Sequence, residues 1–547
     1  MFKGTLLPYQ PEAVSRMVER KTMLVAYEMG LGKTPIAIAA IEELRDSGDI
    51  TKPVLVIALS SLKYQWEKEI IKFSDSIPMV VDGPKLKRAD CYFHVDDCEY
   101  LIVNYEQIVN DWDLIKDIEF SAIICDEATA IKGFKSKRSK AVKKLSKDVP
   151  IRFALTGTPL ENGRPEELYS LMQFVDSSVL GRFDLFDQTF IVRNHYGGVQ
   201  RYRNLPIFHE RMKSSSVRKM QKDPDVAPYL PETIHYSPIL VPFDKKGAAI
   251  YKRILEDLRQ NLTEAKALFG SSFSLEAHYG KAYQPGSPSD ILRGQIMSKI
   301  TALRLLVDSP SLLLDSAAKF KNGWQTITEE DKDGITEQLT MNIEGSRGGS
   351  AYIAGLLEEG ALDGIGVGSP KLDAVITYVL DHLEIDDTHK VVIFSCYLGV
   401  LPLLQEALRG KKIESRLYSG ELSAKEKEKA KVEFQTTKEI KVLISSDAGG
   451  YGVDLPQANL LVNFDLPWSA GTAVQRNSRI RRASSTWASV VIQDFLVLGS
   501  IEERQHQMLS QKNAVADAVM DGTGINDKGG VDLTVGSLLE FIQNSKI

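Results

Sequence analysis

The segment Met23-Leu24-Val25-Ala26-Tyr27-Glu28-Met29-Gly30-Leu31-Gly32-Lys33-Thr34 constrains this chain more than any other. An apolar run, a glycine-bearing loop and a Gly-Lys-Thr helix opening follow in the order that a phosphate-binding loop requires. Glycines let the backbone curl until its N–H groups converge on an anion. The stretch Ile36 to Leu44 predicts a helix whose positive N-terminal end faces that anion. Pro35 falls in its first turn, where a missing N–H costs little. In this pattern Lys33 reaches the β- and γ-phosphates of ATP, and the Thr34 hydroxyl ligates Mg²⁺. Tyr27 stands where the general pattern has its first glycine. The alternative is a Gly-Lys-Thr turn with no ligand; the strand before it and the helix after it favour ATP.

An acidic partner follows at Ser121-Ala122-Ile123-Ile124-Cys125-Asp126-Glu127-Ala128-Thr129. A fully apolar run fits a parallel strand buried on both faces. Asp126 and Glu127 would then stand at its carboxyl end, where open α/β sheets place their active sites. Asp126 is the candidate Mg²⁺ ligand, and Glu127 the candidate base that orients and deprotonates the attacking water. An ordinary acidic pair closing a strand is the plain alternative. The pair gains weight beside the loop above and Leu155-Thr156-Gly157-Thr158-Pro159.

At this point the chain resembles the superfamily-two helicases, and among them the Swi/Snf-like double-stranded-DNA translocases. The resemblance covers most of the chain. Leu7-Pro8-Tyr9-Gln10 resembles the family's adenine-reading element, which implies Gln10 on the base. Glu28 to Thr34 resembles its phosphate loop, implying contacts from Met29, Gly30, Leu31, Gly32, Lys33 and Thr34. Pro53 to Ala58 with Leu62, Trp66 and Glu69 is similar to the next motif, with Leu59 in place of the usual proline. Ile102 to Glu106 follows; Asp-Glu-Ala-Thr then departs from relatives that more often end in His. Ile131-Lys132 with Ser136-Lys137, Leu155 to Asn162, Arg218-Lys219 with Leu230-Pro231, and Leu303-Arg304 with Pro310 resemble further landmarks.

The second half carries its own set. Lys390 to Ser395 resembles the first strand of a second RecA-like lobe, and Tyr418-Ser419-Gly420 the element after it. Ser445 to Leu455 is similar to the family's fifth motif, implying a nucleotide contact for Asp454, and Asn463 to Trp468 continues it. Gln475-Arg476-Asn477-Ser478-Arg479-Ile480-Arg481-Arg482 resembles the arginine-finger motif, implying a nucleotide contact for Gln475. Here Arg476 replaces a usual Ala and Ser478 a usual Gly; Gln475, Arg479 and Arg482 keep their spacing. Ser500 to Arg504 is a last landmark. Physics supports the pairing independently: arginines three apart project to one side, and guanidinium matches phosphate oxygens bidentately. Arg479 and Arg482 are therefore candidate fingers, with a solvated surface as the alternative; Arg481 reads as surface or a DNA phosphate contact.

The net charge of −6 excludes a histone-like field, so any DNA contact must be a local stripe. Eight basic residues crowd the sixteen positions from Lys132 to Lys147: Lys132, Lys135, Lys137, Arg138, Lys140, Lys143, Lys144 and Lys147. They read equally as a solvated helix face or as a phosphate-tracking surface, with Lys132, Lys135, Lys137, Arg138 and Lys140 the candidate DNA contacts. Arg193, His195, Arg201, Tyr202 and Arg203 form a weaker second patch. The four cysteines, Cys91, Cys98, Cys125 and Cys396, are too scattered for a disulfide framework. Cys125 and Cys396 read as core residues, and Cys91, His94 and Cys98 lack a fourth ligand for zinc, so no structural metal is expected. No signal-peptide pattern or long apolar span occurs. The expectation is a protein neither secreted nor membrane-spanning, in a reducing compartment such as the cytoplasm or nucleoid of a bacterial or virus-infected cell.

The fold class expected is α/β: two tandem RecA-like parallel-sheet lobes with helical protrusions between them. Lobe one spans 1–175, with strands near Met23–Ala26, Val54–Ala58, Leu101–Asn104, Ala122–Cys125 and Arg152–Leu155. A helical protrusion of lobe one covers 176–240. A protrusion of lobe two with a linker covers 241–368, with helices at Lys246–Asn261 and Asp290–Val307 and Gly-rich loops at Gly345–Gly349 and Gly364–Gly368. Lobe two spans 369–505, opening at Ser369-Pro370, and a bracing tail covers 506–547. The leading function is an ATP- and Mg²⁺-dependent motor, monomeric on DNA, that tracks along double-stranded or branched DNA and displaces bound proteins or remodels junctions. A strand-separating or annealing helicase is the alternative. An ATP-gated clamp without motor activity is opposed by the full set of Lys33, Asp126, Glu127, Arg479 and Arg482. A metabolic kinase would not need arginines on a second lobe.

Overall fold

The computed structural model describes residues 1–194, 198–275, 286–321, 350–366, 368–447, 453–522, 528–529 and 533–544. His195, the Gly345–Gly349 stretch, the Ala448–Gly452 part of the fifth motif, Gly524 and Gly530 lie outside the described residues.

The first lobe is a seven-stranded sheet, parallel throughout, in the spatial order Pro78–Val80, Tyr100–Asn104, Val54–Ala58, Ala122–Cys125, Ile151–Leu155, Thr22–Tyr27, Ser216–Lys219. Its central strands are apolar on both faces because helices cover both. Leu55, Ile57, Ile123 and Cys125 enter one core, while Val54, Val56, Ala122 and Ile124 enter the other. The five strands read from the sequence are all present, each within a residue or two of its expected ends.

The second lobe repeats the design. Its parallel sheet runs Glu232–His235, Ser489–Val497, Leu460–Asn463, Val391–Ser395, Ile440–Ser446, Glu414–Tyr418, with Ile239–Val241 also paired to Ser489–Val497. Two strands thus come from before the helical middle. The 176–240 span is not purely helical: Ser216–Lys219 completes the first sheet, and Glu232–His235 already belongs to the second. A strand needs only a few extended residues with an open sheet edge beside them, and such short polar stretches carry no periodicity to read.

The helix Lys245–Phe269 packs against both Pro288–Asp308 and Val535–Asn544, and all three join the core of the second lobe. Ser369 caps the helix Pro370–Ile385 by accepting from the Leu372 N–H. The helix Ile501–Met520 begins in the second lobe's core at Ile501 and Met508 and ends in the first lobe's core at Val515 and Val519. Among the described residues, no helix is long and apolar enough to cross a membrane. No group of three His, Cys, Asp or Glu side chains among them could hold a metal ion.

Candidate active site

The phosphate loop leaves the strand Thr22–Tyr27 and enters the helix Lys33–Asp46. Gly30 and Gly32 hold φ of 81° and 75°, the left-handed region that favours glycine. Gln10 braces the loop: its Oε1 accepts from the Leu7 N–H at 2.8 Å and its Nε2 donates to the Leu31 carbonyl at 3.0 Å. Lys33 Nζ donates to the carbonyl of Tyr27 at 3.0 Å. Thr34 follows in the first turn of that helix. Gly157 presses on the loop from the coupling motif, and a Cβ there would stand 2.8 Å from Met29 Cγ and 3.5 Å from Lys33 Nζ.

Asp126 and Glu127 stand at the carboxyl end of Ala122–Cys125. The Asp126 carboxylate accepts from the Trp66 indole N–H at 2.8 Å and from the Glu127 N–H at 3.0 Å. Tyr105 donates to the Asp126 carbonyl at 2.7 Å. Glu127 holds φ 45° and ψ 54°, a left-handed conformation that costs a non-glycine residue about 1–2 kcal/mol. The geometry turns its side chain into the cleft, where Oε2 is buried without a hydrogen-bond partner. Burial pushes the Glu127 carboxyl up to about 7, against the pull of Lys33, and raises Asp126 as well. Burial also lowers the Lys33 ammonium, opposed by the charges of Glu127 and Asp126. A buried carboxylate near neutral and a strained backbone at one position mark a place built for chemistry.

The second lobe closes the cleft. Arg482 lies on Gly30: a Cβ there would collide with its Nη1 and stand 3.2 Å from its Cδ. One arm of Arg482 pairs with Asp454 at 2.6 Å, while its Nε and Nη1 are buried without hydrogen-bond partners. Arg479 is buried, and its charge is felt by both Glu127 and Lys33. Gln475 is buried on the helix Ala470–Asn477. Glu161 joins the lobes at a second point, its carbonyl accepting from the Gly471 N–H at 2.8 Å.

The SNF2-related domain model matches residues 9–310, more than half of the chain, and the helicase conserved C-terminal domain model matches 371–484. The chain belongs to the SNF2-related family. It is 24% identical over 528 residues to YwqA of Bacillus subtilis, provisionally named an ATP-dependent helicase/translocase, covering 95% of this chain and 49% of the relative. It is 26% identical over 540 residues to the DNA repair and recombination protein RAD54B of Mus musculus, covering 95% and 56%. The chain thus spans about half the length of the curated relatives it matches. The helicase domain of Hef from Pyrococcus furiosus shares the fold, with a TM-score of 0.51, 15% identity, and coverage of 92% of this chain and 97% of that one.

In this SNF2-related chain the basic cluster divides. Lys135, Lys137 and Lys140 are exposed, with Lys144 and Lys147 beside them. Lys137, Lys140 and Lys144 share one face of the helix Lys137–Leu145. Lys132 is instead paired with Glu161 at 2.5 Å, and Arg138 with Glu106. Lys143 is tucked against Ser170 at 2.7 Å, where burial lowers its ammonium to about 7. In the second patch Arg193 pairs with Asp187 at 2.6 Å and Glu166 at 3.3 Å and Tyr202 is buried, while Arg201 is exposed.

Two arginines of the finger motif are held by other parts of the chain. Arg476 is buried within the second lobe, donating to the Asp447 carboxylate, the Asp465 carbonyl at 2.6 Å and Cys396 Sγ at 3.0 Å. It is an internal strut. Arg481, expected at the surface or on a DNA phosphate, is half-buried and engaged within the chain: its Nε donates to the Pro231 carbonyl, and its Nη1 and Nη2 to the Oε1 and carbonyl of Gln221, each at 3.1 Å. Trp66 was visible only as part of a motif; nothing in the sequence joins it to Asp126, sixty positions away.

Proposed function

We propose that the chain is a motor ATPase that hydrolyses ATP in the cleft between its lobes and uses the closing and opening of that cleft to move along double-stranded DNA. The observation that carries this reading is Arg482 lying on Gly30, beside Lys33, Asp126 and Glu127. Fingers from one lobe and a phosphate loop from the other make hydrolysis depend on closure.

In this reading the loop N–H groups and Lys33 cradle the β- and γ-phosphates. Gln10, buried against the loop, reads the base, and Gln475 and Asp454 line the nucleotide from the second lobe. Glu127, with its unpaired Oε2, takes the proton of the attacking water. Arg479 and Arg482 supply positive charge to the γ-phosphate as negative charge spreads over its oxygens. The donor set of Thr34 hydroxyl and Asp126 carboxylate fits Mg²⁺, a hard cation that takes oxygen ligands. Mg²⁺, when bound there, neutralises phosphate charge; Trp66 keeps the Asp126 carboxylate oriented toward the cleft.

Lys135, Lys137 and Lys140 are the residues proposed to follow the DNA backbone, since a track read at every step must be phosphate rather than base edges. RAD54B is named for DNA repair and recombination and YwqA for helicase or translocase activity, which supports a DNA track for this chain. Branched junctions and DNA-bound proteins are the proposed substrates of the motion, carried out as a monomer where the cell keeps its DNA. The test is the ATPase rate with single-stranded, duplex, forked and four-way DNA. Stimulation by every DNA containing duplex is expected; no hydrolysis with any of them, or stimulation by single strands alone, would overturn the reading.

A further inference from the structure

Gln221 occupies the seam between the lobes and touches both sides at once. Its Nε2 donates to the Met29 carbonyl at 2.7 Å, within the phosphate loop. Its backbone N–H donates to the Glu28 carboxylate at the head of that loop. Its Oε1 accepts from Arg481 Nη1 at 3.1 Å, and its carbonyl from Arg481 Nη2 at 3.1 Å. The residue is 6% exposed, so these partners replace water rather than compete with it. Arg481 is next in the chain to Arg482, and the two grip neighbouring parts of the loop. Arg482 rests on Gly30 directly, while Arg481 reaches Met29 through the Gln221 amide.

We infer that Gln221 is a positioning residue that relays lobe closure to the phosphate loop. An amide has one acceptor and one donor end, and the guanidinium can only donate. Docked Arg481 therefore fixes which end of the Gln221 amide faces the second lobe. The donor end is then left pointing at the Met29 carbonyl. That bond pins the Met29–Gly30 peptide, and with it the direction of the adjoining loop N–H groups. With the lobes apart, Arg481 is withdrawn, the amide is free to turn, and the loop loses one of its restraints. Glu28 holds the Gln221 backbone in place in either state; burial raises its carboxyl, and the nearby charges of Arg218 and Arg481 oppose that rise. The relay rests on the ATPase reading above for its purpose, but its geometry can be tested without hydrolysis.

The test compares the full chain with Gln221→Met, Arg481→Met and the double variant by amide hydrogen exchange over residues 27–34, without nucleotide. Methionine keeps the length of glutamine and removes both polar ends. Each single change is expected to speed exchange of the loop on the order of tenfold, the scale of one missing buried hydrogen bond. The double variant should be no faster than Gln221→Met, because both changes break one chain of hydrogen bonds. Gln221→Asn, with the amide one methylene short, should recover only part of the protection. Unchanged loop exchange in Gln221→Met, or effects that multiply in the double variant, would overturn the relay. Global unfolding is recognised by exchange in the buried strand Val391–Ser395 of the second lobe; a variant that loses that protection is replaced by Gln221→Leu, read the same way. DNA-stimulated ATPase on the same proteins separates the two ideas. If the parent protein does not hydrolyse ATP, the ATPase reading fails while the exchange data still decide the relay. If it does, Gln221→Met should lower kcat several-fold with little change in KM for ATP.

Discussion

Arg482 of the second lobe rests on Gly30 of the first, so closely that a Cβ on Gly30 would collide with the guanidinium. The φ of 81° at Gly30 adds strain for any other residue. Gly30→Ala should therefore hold the lobes apart. Turnover is expected to fall by at least about tenfold, since a single misplaced group at a closed site has effects of this size or more. Steady-state kinetics on duplex DNA checks it, and retention of parent turnover would show that the close approach does not matter.

Glu127 sets a pH dependence. Its carboxyl is raised from 4.5 to about 7, first by burial. Activity that needs the ionised form should rise as pH climbs through about 7. Stability moves the other way. The fold favours the protonated acid, so this group's contribution is complete below 4.5 and fades as pH rises through about 7. Glu127→Gln should retain ATP binding, lose at least ~10²-fold in turnover, and show a smaller drop in melting temperature from pH 5 to pH 8 than the parent. Identical melting curves across that range would contradict the assignment.

Trp66 and Asp126 are linked by one 2.8 Å hydrogen bond. Trp66→Phe keeps most of the buried ring and removes the donor. The loss should destabilise the fold by about 1–3 kcal/mol, as for a buried acceptor left without its partner. Because the indole N–H favours the ionised carboxylate, the variant should also need more Mg²⁺ for half-maximal hydrolysis. A Mg²⁺ titration of ATPase rate decides this, and an unshifted midpoint would remove Trp66 from the site.

The basic cluster gives a graded expectation. Changing Lys135, Lys137 and Lys140 to Ala should weaken duplex binding equally across sequences. It should also flatten the log-affinity against log-salt slope by about one unit for each phosphate that is no longer neutralised. Lys132→Ala and Arg138→Ala should do much less to that slope, because both cations are already paired with carboxylates. Equal slopes for all five single changes would contradict this division.

The architecture was legible because its signals are local. Val54–Ala58 and Ala122–Cys125 are uninterrupted apolar runs, and two-sided burial in a parallel sheet leaves that trace. Gly30, Gly32 and Lys33 announce a loop because glycine and lysine are required there for stated physical reasons. What stayed hidden is long-range and polar. Arg481 meets Gln221 across 260 positions, and Lys132 meets Glu161 across 29, with no periodicity to betray either pairing. Arg476 stood out only as a replacement for a usual Ala; only the fold brings Asp447, Asp465 and Cys396 around it. Glu232–His235 was missed as a strand because a short segment with intermediate and exposed side chains lacks the alternation that marks one.

The most direct measurement of the central claim is the duplex-stimulated ATPase rate of Arg482→Ala, taken together with its duplex affinity in the absence of nucleotide. If hydrolysis needs the second lobe to complete the site on the first, turnover should fall by ~10³-fold or more, the scale of a missing arginine finger, with duplex affinity nearly intact. Hydrolysis at the parent rate would contradict the account, and an equal loss of DNA binding would make Arg482 a track contact instead.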